Sequence, residues 1–445
     1  MPPIDRTKST YELDQVLLES ERMPKPVELK NVVTDIDIYE HLDKPYLSAE
    51  MVVVDQTNLY ETANIIGGEK ITVTITSSKQ DVAVPITKTF YVADVRVKYV
   101  NDDSQIIIFE LIEDIAFLSN LFNVNRFYNG KCSKIIEKIA KQYFGKEVDQ
   151  LNKDFQHIHL IVPNMDPINA MTWIRNRATT TEGYPFYLHS VFANDKLYLR
   201  DLGTIFSDPV INPNRKFKND VASADSMDNH MIIRHKFTSY ENIFKMIAKG
   251  LVGAQYQYID TTQENTRKFA FDVRKDIYDT LISKGVMQGQ DNPEFSELFK
   301  VNGKSFNKFK SRNITMVGGS NAQRDFFKDA NGNDTWNNSY SESKTSAGYK
   351  QQIIARAMDN IMKRSSLEMI VSGLDFLDGD KHSTVGNNIA VEFTKSSADR
   401  NRASSQVDTR RSGNYTILAA RHMFKKERYD IALSCVKLGN LRSND

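Results

Sequence analysis

From Val33 onward, apolar and polar residues alternate with a period of two. Val33-Thr-Asp-Ile-Asp-Ile-Tyr39 places Thr34, Ile36 and Ile38 on one face and Val33, Asp35, Asp37 and Tyr39 on the other. Ala49–Val54 follows, and Ile71–Thr76 turns Ile71, Val73 and Ile75 to one side. Phe90–Tyr99, a polar turn at Asn101–Ser104 and Ile106–Ile112 read as a hairpin. Strand-length runs separated by turn residues predict a small antiparallel β-barrel over residues 28–118. Ahead of it, Pro2, Pro3, Pro24 and Pro26 bracket Tyr11–Arg22, in which Leu13, Leu17 and Leu18 fit one helical face. Residues 1–27 are expected to be a flexible N-terminal tail, either plainly disordered or ordered only against a partner.

The period then lengthens. In Cys132–Phe144, Ile135, Ile136, Ile139 and Tyr143 recur at helical spacing, with Gly145 placed to end the helix. Asp166–Ala178 predicts a second helix, with Asp166 as N-cap and Pro167 in the first helical position. Phe186–Val191 and Lys196–Leu202 predict a hairpin turned at Asn194-Asp195, so residues 119–226 are read as an α/β domain. His230–Phe237 is again strand-like. Residues 263–365 are polar, with a short strand at Phe269–Val273, helices at Lys275–Lys284 and Gly348–Arg364, and a loop or disordered stretch over Asp329–Ser346. The strand period returns at Leu367 and runs to Leu438.

An internal repeat organises these pieces. Displaced by 318 residues, Glu50–Thr76 lies on Glu368–Thr394 without a gap, with eight identities in 27 positions; ordinary composition gives about two. The identities include Glu50/Glu368, Met51/Met369, Gly68/Gly386 and Ile71/Ile389. At an offset of 325, Phe90–Tyr99 lies on Tyr415–Phe424 and pairs Arg96 with Arg421. The chain therefore reads as two copies of one small barrel. The second copy is split: residues 227–262 open it, 263–365 form an inserted α+β domain, 366–440 complete it, and 441–445 are a C-terminal tail. The expected class is mainly β with α+β parts: two duplicated small antiparallel β-barrels, an α/β domain and an inserted α+β domain.

Composition narrows the function. With 58 Lys+Arg against 57 Asp+Glu, the net charge is +1, which argues against a dedicated nucleic-acid binder and against a polybasic or polyacidic tail protein. Hydrophobic residues make up 40% and no run has the length of a membrane span. Cys132 and Cys435 are too few for a disulfide framework or a cysteine-rich zinc site, so both are expected as buried free thiols. The opening stretch carries no apolar core of leader length, so the chain is expected to be made in a cytosol and kept or assembled there.

No motif gives positive support to catalysis. His157 and His159 share a strand face as a metal pair must, but no third ligand is near in sequence, and a solvated face explains them. Asp329-x-Asn331-x-Asn333 matches the start of a calcium loop, but Tyr340 stands where the bidentate Glu belongs. Asp375, Asp378 and Asp380 flank Gly379 in what reads as a turn. Gly318-Gly-Ser-Asn lacks the Gly-Lys-Ser/Thr of a phosphate loop. Arg400, Arg402, Arg410 and Arg411 share one loop that is either solvated or subunit-bridging, or contacts phosphates or acidic partners. No catalytic, cofactor-binding or metal residue is assigned. A cell-wall hydrolase among the carboxylates and a receptor- or glycan-binding protein using Trp336 and Tyr340 are the alternatives to a structural role.

Ile36-Asp-Ile-Tyr-Glu40, Val54-Asp55 and Gly68-Glu-Lys-Ile71 resemble the first barrel of the central hub proteins of contractile-tail baseplates, and Ser412–His422 with Tyr429–Lys437 resemble that family's closing hairpin. Ala170–Ala178 followed by Phe186-Tyr-Leu resembles its α/β domain, and Phe237–Asp260, with Gly250, the start of its insertion. The resemblance implies a homotrimeric ring in the virion, at the baseplate of a phage tail assembled in the host cytoplasm. Its partners would be the tail tube or a tube-initiator protein on one face, a separate spike or tail lysozyme on the other, and neighbouring baseplate proteins. It implies no enzyme activity, cofactor, specific nucleic-acid binding or stable membrane insertion. Six similar barrels from three chains match a six-fold tube to a three-fold spike, and near-zero net charge suits a passage that does not hold DNA.

Overall fold

The computed structural model describes residues 11–78, 84–101, 104–150, 154, 157–219, 230–238, 243–260, 265–285, 291–293, 300–305, 313–318, 326–328, 334–336, 342–362, 366–379, 381, 383–395, 407–425, 428–437 and 439–441. Both alternating stretches lie in one sheet of 13 strands, so the two expected barrels are the two halves of a continuous, open, largely antiparallel sheet. The first repeat supplies β2 (Val33–His41), β3 (Ser48–Asp55), β4 (Lys70–Ser77), β5 (Ile86–Asn101) and β6 (Ser104–Glu113), with β1 (Tyr11–Glu19) outside β4. Strict alternation positions them: in β3, Ala49, Met51 and Val53 are buried, while Glu50, Val52 and Val54 are half-buried on the other face.

Beyond the first half come a two-stranded sheet of β7 (Phe127–Lys131) and β8 (His157–Ile161), and the hairpin β9 (Phe186–Ser190) and β10 (Leu197–Asp201). Helices α1 (Cys132–Phe144) and α2 (Pro167–Arg175) cover them. Both helices end as expected: Gly145 takes φ +65°, and the Asp166 carboxylate accepts the Asn169 N–H at 3.0 Å, with Pro167 in the first turn. Ile135, Ile136 and Ile139 of α1 pack with Ala170, Met171 and Ile174 of α2 in one apolar core.

The second half is made by β11 (Arg234–Thr238), then β15 (Ser366–Ser372), β16 (Asn388–Glu392), β17 (Gly413–Lys425) and β18 (Arg428–Val436). Between β11 and β15 stands the insertion, whose sheet joins β12 (Gly253–Asp260), β13 (Asn265–Asp272) and β14 (Asn313–Gly318), followed by α3 (Glu342–Met362). The main path of the large sheet is β11-β15-β18-β17-β2-β3-β6-β5-β4-β1, ending in the short strand Val27–Glu28; β16 branches from β17 and pairs in turn with the short strand Phe217–Lys218.

The repeat holds at the level of register. Met51 faces Phe109 and Met369 faces Leu433. Ile71 faces Phe90 and Ile389 faces Tyr415. Both hairpins carry a bulge at the equivalent place, after Val92 opposite Leu111 and after Ile417 opposite Cys435, and the first has a further register shift between Tyr99 and Asn101. Gly68 and Gly386 both take φ +84°; their N–H groups donate to Val92 O at 2.8 Å and Ile417 O at 2.9 Å.

Three expectations are corrected. Tyr11–Glu19 is neither a helix nor a loose tail: it pairs with β4 along its length. A register shift between Leu13 and Gln15 breaks the alternation, which hides Val16 and Leu18, both fully buried, from a period-two reading. The insertion begins earlier than residue 263, because Gly253–Asp260 pairs with β13 and β14 and not with the large sheet. The stretch 329–346 is not wholly loop: Asp334–Trp336 pairs with Phe326–Lys328, and α3 starts at Glu342. Nor is the insertion detached from the rest. Ile353, Ala357, Met358 and Met362 of α3 are buried in the core that holds Tyr184, Tyr187 and Leu202. A Cβ on Gly183 (φ +95°) would come within 2.9 Å of Ile354, so glycine permits this approach.

Candidate functional site: the seam between the repeats

Strand β2 opens the first repeat and β17 belongs to the second. They pair from Ala419 opposite His41 to Lys425 opposite Asp35, and this seam makes one sheet of two repeats. On its inner side Glu40 and His422 are both fully buried, 3.1 Å apart. His422 Nδ1 lies 2.7 Å from the Tyr429 hydroxyl, and the Phe192 N–H donates to Glu40 Oε1. A carboxylate of the first repeat, an imidazole of the second and a backbone donor of the α/β domain thus meet at one point. Burial alone raises the Glu40 pKa, but the facing His422 and the donors outweigh it and hold the carboxyl below its usual range. A buried group joined this way fixes register, because any slip strands a charge in the core.

On the outer side Arg421 donates to Asp37 at 2.7 Å, with its guanidinium 5.5 Å from the Tyr39 ring centre. The equivalent Arg96 stays within its own repeat, 3.1 Å from Glu50 and 2.6 Å from Glu110. The difference has a local cause. Where Glu50 faces Glu110, Glu368 faces Ser434, so the second arginine finds its carboxylate across the seam.

A second lock ties the first repeat to the α/β domain. Lys88, almost fully buried, lies 2.7 Å from Asp195 and 3.4 Å from Glu113, and donates to Asn194 O at 2.6 Å. Burial pushes the Glu113 carboxyl up despite Lys88; Asp195, also penalised by burial, is held low by Lys88. The expected turn at Asn194-Asp195 is therefore a docking contact as well, which no sequence pattern signals.

The other singled-out residues lie apart. His157 and His159 sit on β8 opposite Lys131 and Asn129. Among the described residues no three His, Cys, Asp or Glu side chains converge as a metal site needs. Asp375 pairs with His230 at 3.2 Å and Asp378 with Lys381 at 2.7 Å, around a short 3-10 turn at Leu374–Phe376; Asp380 lies outside the described residues. Arg410 and Arg411 cap the Asp408 carboxylate through their N–H groups at 3.0 and 3.2 Å. Arg400, Arg402, Asp329, Asn331, Asn333 and Tyr340 lie outside the described residues. Gly318 ends β14, and Trp336 ends the short strand paired with Phe326–Lys328. Cys132 and Cys435 are buried free thiols, and burial pushes both pKa values up. Among the described residues, no helix is long and apolar enough to cross a membrane.

The fold is similar to that of a tail protein of Neisseria meningitidis, with a TM-score of 0.52 at 13% identity over 96% of each chain. The chain has a tail-protein fold. It is also similar to the 43 kDa tail protein of prophage MuSo2 from Shewanella oneidensis: TM-score 0.49, 10% identity, 96% of this chain and 100% of that one. In the PdpA–VgrG complex of Francisella, the match has a TM-score of 0.46 at 9% identity, covering 99% of this chain and 54% of that chain. The likeness is one of fold, and the tail-protein fold agrees with the hub-like architecture that the sequence resemblance implies. No protein-family model and no curated protein matches the sequence.

Proposed function

We propose that this chain is a structural baseplate hub of a contractile phage tail. Three copies form a ring that adapts the six-fold tail tube to the three-fold spike and lines the passage for DNA. The observation that carries this reading is the doubled unit: each chain presents the same strand arrangement twice, side by side in one sheet. Three such chains present six similar units, the number a six-fold tube requires, while three-fold symmetry remains available to the spike. The working parts are the first repeat (28–118, extended by β1), the α/β domain (119–226), the second repeat (230–238 and 366–440) and the insertion (239–365). Its partners are the tube or a tube-initiator protein, the spike or tail lysozyme, and neighbouring baseplate proteins. Its place is the virion tail, assembled in the host cytoplasm. Its role is non-enzymatic.

The test is a density map of the assembled tail. Three copies on the three-fold axis, with first and second repeats alternating around it, support the hub. Six copies, or copies away from the tube axis, overturn it in favour of a receptor-binding protein. Clearing of peptidoglycan by the purified chain, lost on changing one Asp or Glu, overturns the non-enzymatic part.

A further inference from the structure

The α/β domain carries a groove of about 430 Å³ between β7 and the exposed face of α1. Its origin is local. Helical spacing turns Ile135, Ile136 and Ile139 into the core and leaves Lys134, Lys138 and Lys141 exposed. In β7, alternation buries Tyr128 and exposes Phe127. Arg126, just before β7, reaches α1 and donates to Gln142 Oε1 at 3.1 Å. Among the described residues, the lining holds three cations, Arg126, Lys138 and Lys141, and no carboxylate. Glu137, the acid of the same helix, lies outside the groove and pairs with Lys134 at 2.6 Å. In a chain of net charge +1, this is a local excess of positive charge.

Two further observations point to a ligand. Tyr128 lines the groove at 7% exposure, and its hydroxyl is buried without a hydrogen-bond partner. Buried polar groups in folded proteins are normally paired, so this donor calls for an acceptor. Burial raises its pKa and keeps the proton on the oxygen. The rim is apolar. Phe127 and Ile161 face each other across β7 and β8, both well exposed. Leu121 and Phe122 are exposed too, and the Phe122 ring centre lies 5.7 Å from that of Tyr143 in the last turn of α1. Clustered exposed apolar side chains beside a polar groove mark a contact surface.

We propose that this groove docks an acidic segment of another tail protein. A carboxylate of that segment enters among Arg126, Lys138 and Lys141 within reach of the Tyr128 hydroxyl, and apolar side chains beside it cover Phe127 and Ile161. A side chain can reach the buried hydroxyl, whereas a flat anionic bilayer surface leaves it uncovered. Nucleic-acid phosphates would leave the apolar rim unused. That the segment belongs to a tail protein rests on the hub reading; its acidic and apolar character rests on the groove alone.

Binding to the purified full chain tests the chemistry. Two labelled peptides serve as probes, one carrying Glu and Phe among Gly and Ser, the other with Gln in place of Glu. By fluorescence anisotropy at low salt, the Glu peptide should bind about tenfold more tightly. Lys138→Glu combined with Lys141→Glu should abolish that preference, while Lys134→Glu, outside the groove, should keep it within about twofold. Tyr128→Phe removes only the hydroxyl and should weaken the Glu peptide roughly three- to tenfold, with an unchanged near-ultraviolet circular dichroism spectrum. Equal binding of both peptides, no binding, or unchanged binding by the double lysine variant or by Tyr128→Phe overturns the inference. So does tighter binding to phosphatidylglycerol vesicles than to the Glu peptide. In assembled tails, a photo-crosslinking residue in place of Phe127 should join an Asp- or Glu-bearing segment of a different protein; a link to a second copy, or to a segment without acids, overturns it as well. Failure of these tests beside a tail map with three copies on the axis removes the groove and leaves the hub. A map placing the chain off the axis removes the hub whatever the peptides show.

Discussion

Arg421 holds Asp37 at 2.7 Å across the seam, although the two residues are almost the whole chain apart in sequence. Asp37 is buried at 5% exposure, while of the carboxylates held by the equivalent Arg96, Glu50 is half-buried and Glu110 exposed. One arginine, met twice in the repeat, therefore does two different things.

The first prediction compares them. Arg421→Ala leaves a buried carboxylate without its guanidinium and should cost about 1–3 kcal/mol of stability. Arg96→Ala removes exposed pairs and should cost about 0.2–1 kcal/mol. Urea unfolding of the two variants measures both, and equal losses would show that the seam has no special energetic weight.

Acid should act through Glu40. Its folded-state pKa is depressed below the ordinary value of 4.5, so it contributes stability above pH 4.5 that is lost as pH falls through the lower folded value. Glu40→Gln should flatten the acid limb of a stability-against-pH curve and lower the plateau near neutrality. An acid limb as steep as that of the parent chain would assign the acid sensitivity to other groups.

The paired glycines offer a matched test. Both Gly68 and Gly386 have φ +84°, and a Cβ at either meets nothing closer than 3.4 Å. Strain from the backbone alone then governs, and each Gly→Ala change should cost about 1–2 kcal/mol. Thermal unfolding of the two single variants should show similar losses; a large difference would mean that the repeats are not equivalent there.

The insertion helix is part of the common core. Met358 is buried among residues that include Tyr187, whose hydroxyl donates to Asp359 at 2.8 Å. Met358→Ala should cost about 2–5 kcal/mol. A chain lacking residues 261–341 but keeping α3 should retain more cooperative unfolding than one lacking 261–365, as followed by near-ultraviolet circular dichroism.

The sequence by itself determined the local elements and the doubling. Alternation at Ile36/Ile38 and Ile71/Val73/Ile75, helical spacing at Ile135/Ile136/Ile139, and capping by Asp166, Pro167 and Gly145 are set by neighbours in the chain, so they are legible without coordinates. The repeat was legible because Glu50–Thr76 and Glu368–Thr394 must meet the same packing demands in the same order. Tertiary structure alone decided how the copies join. Nothing in the run around Glu40 or His422 announces their pairing, since the groups become partners only when β2 and β17 lie side by side. Burial of β1 was hidden for a related reason: its alternation is broken by a bulge, and its place is decided by the open edge of β4. The start of the insertion was set likewise by which strand Gly253–Asp260 pairs with, a choice made by hydrogen bonding between distant segments and not by any local preference.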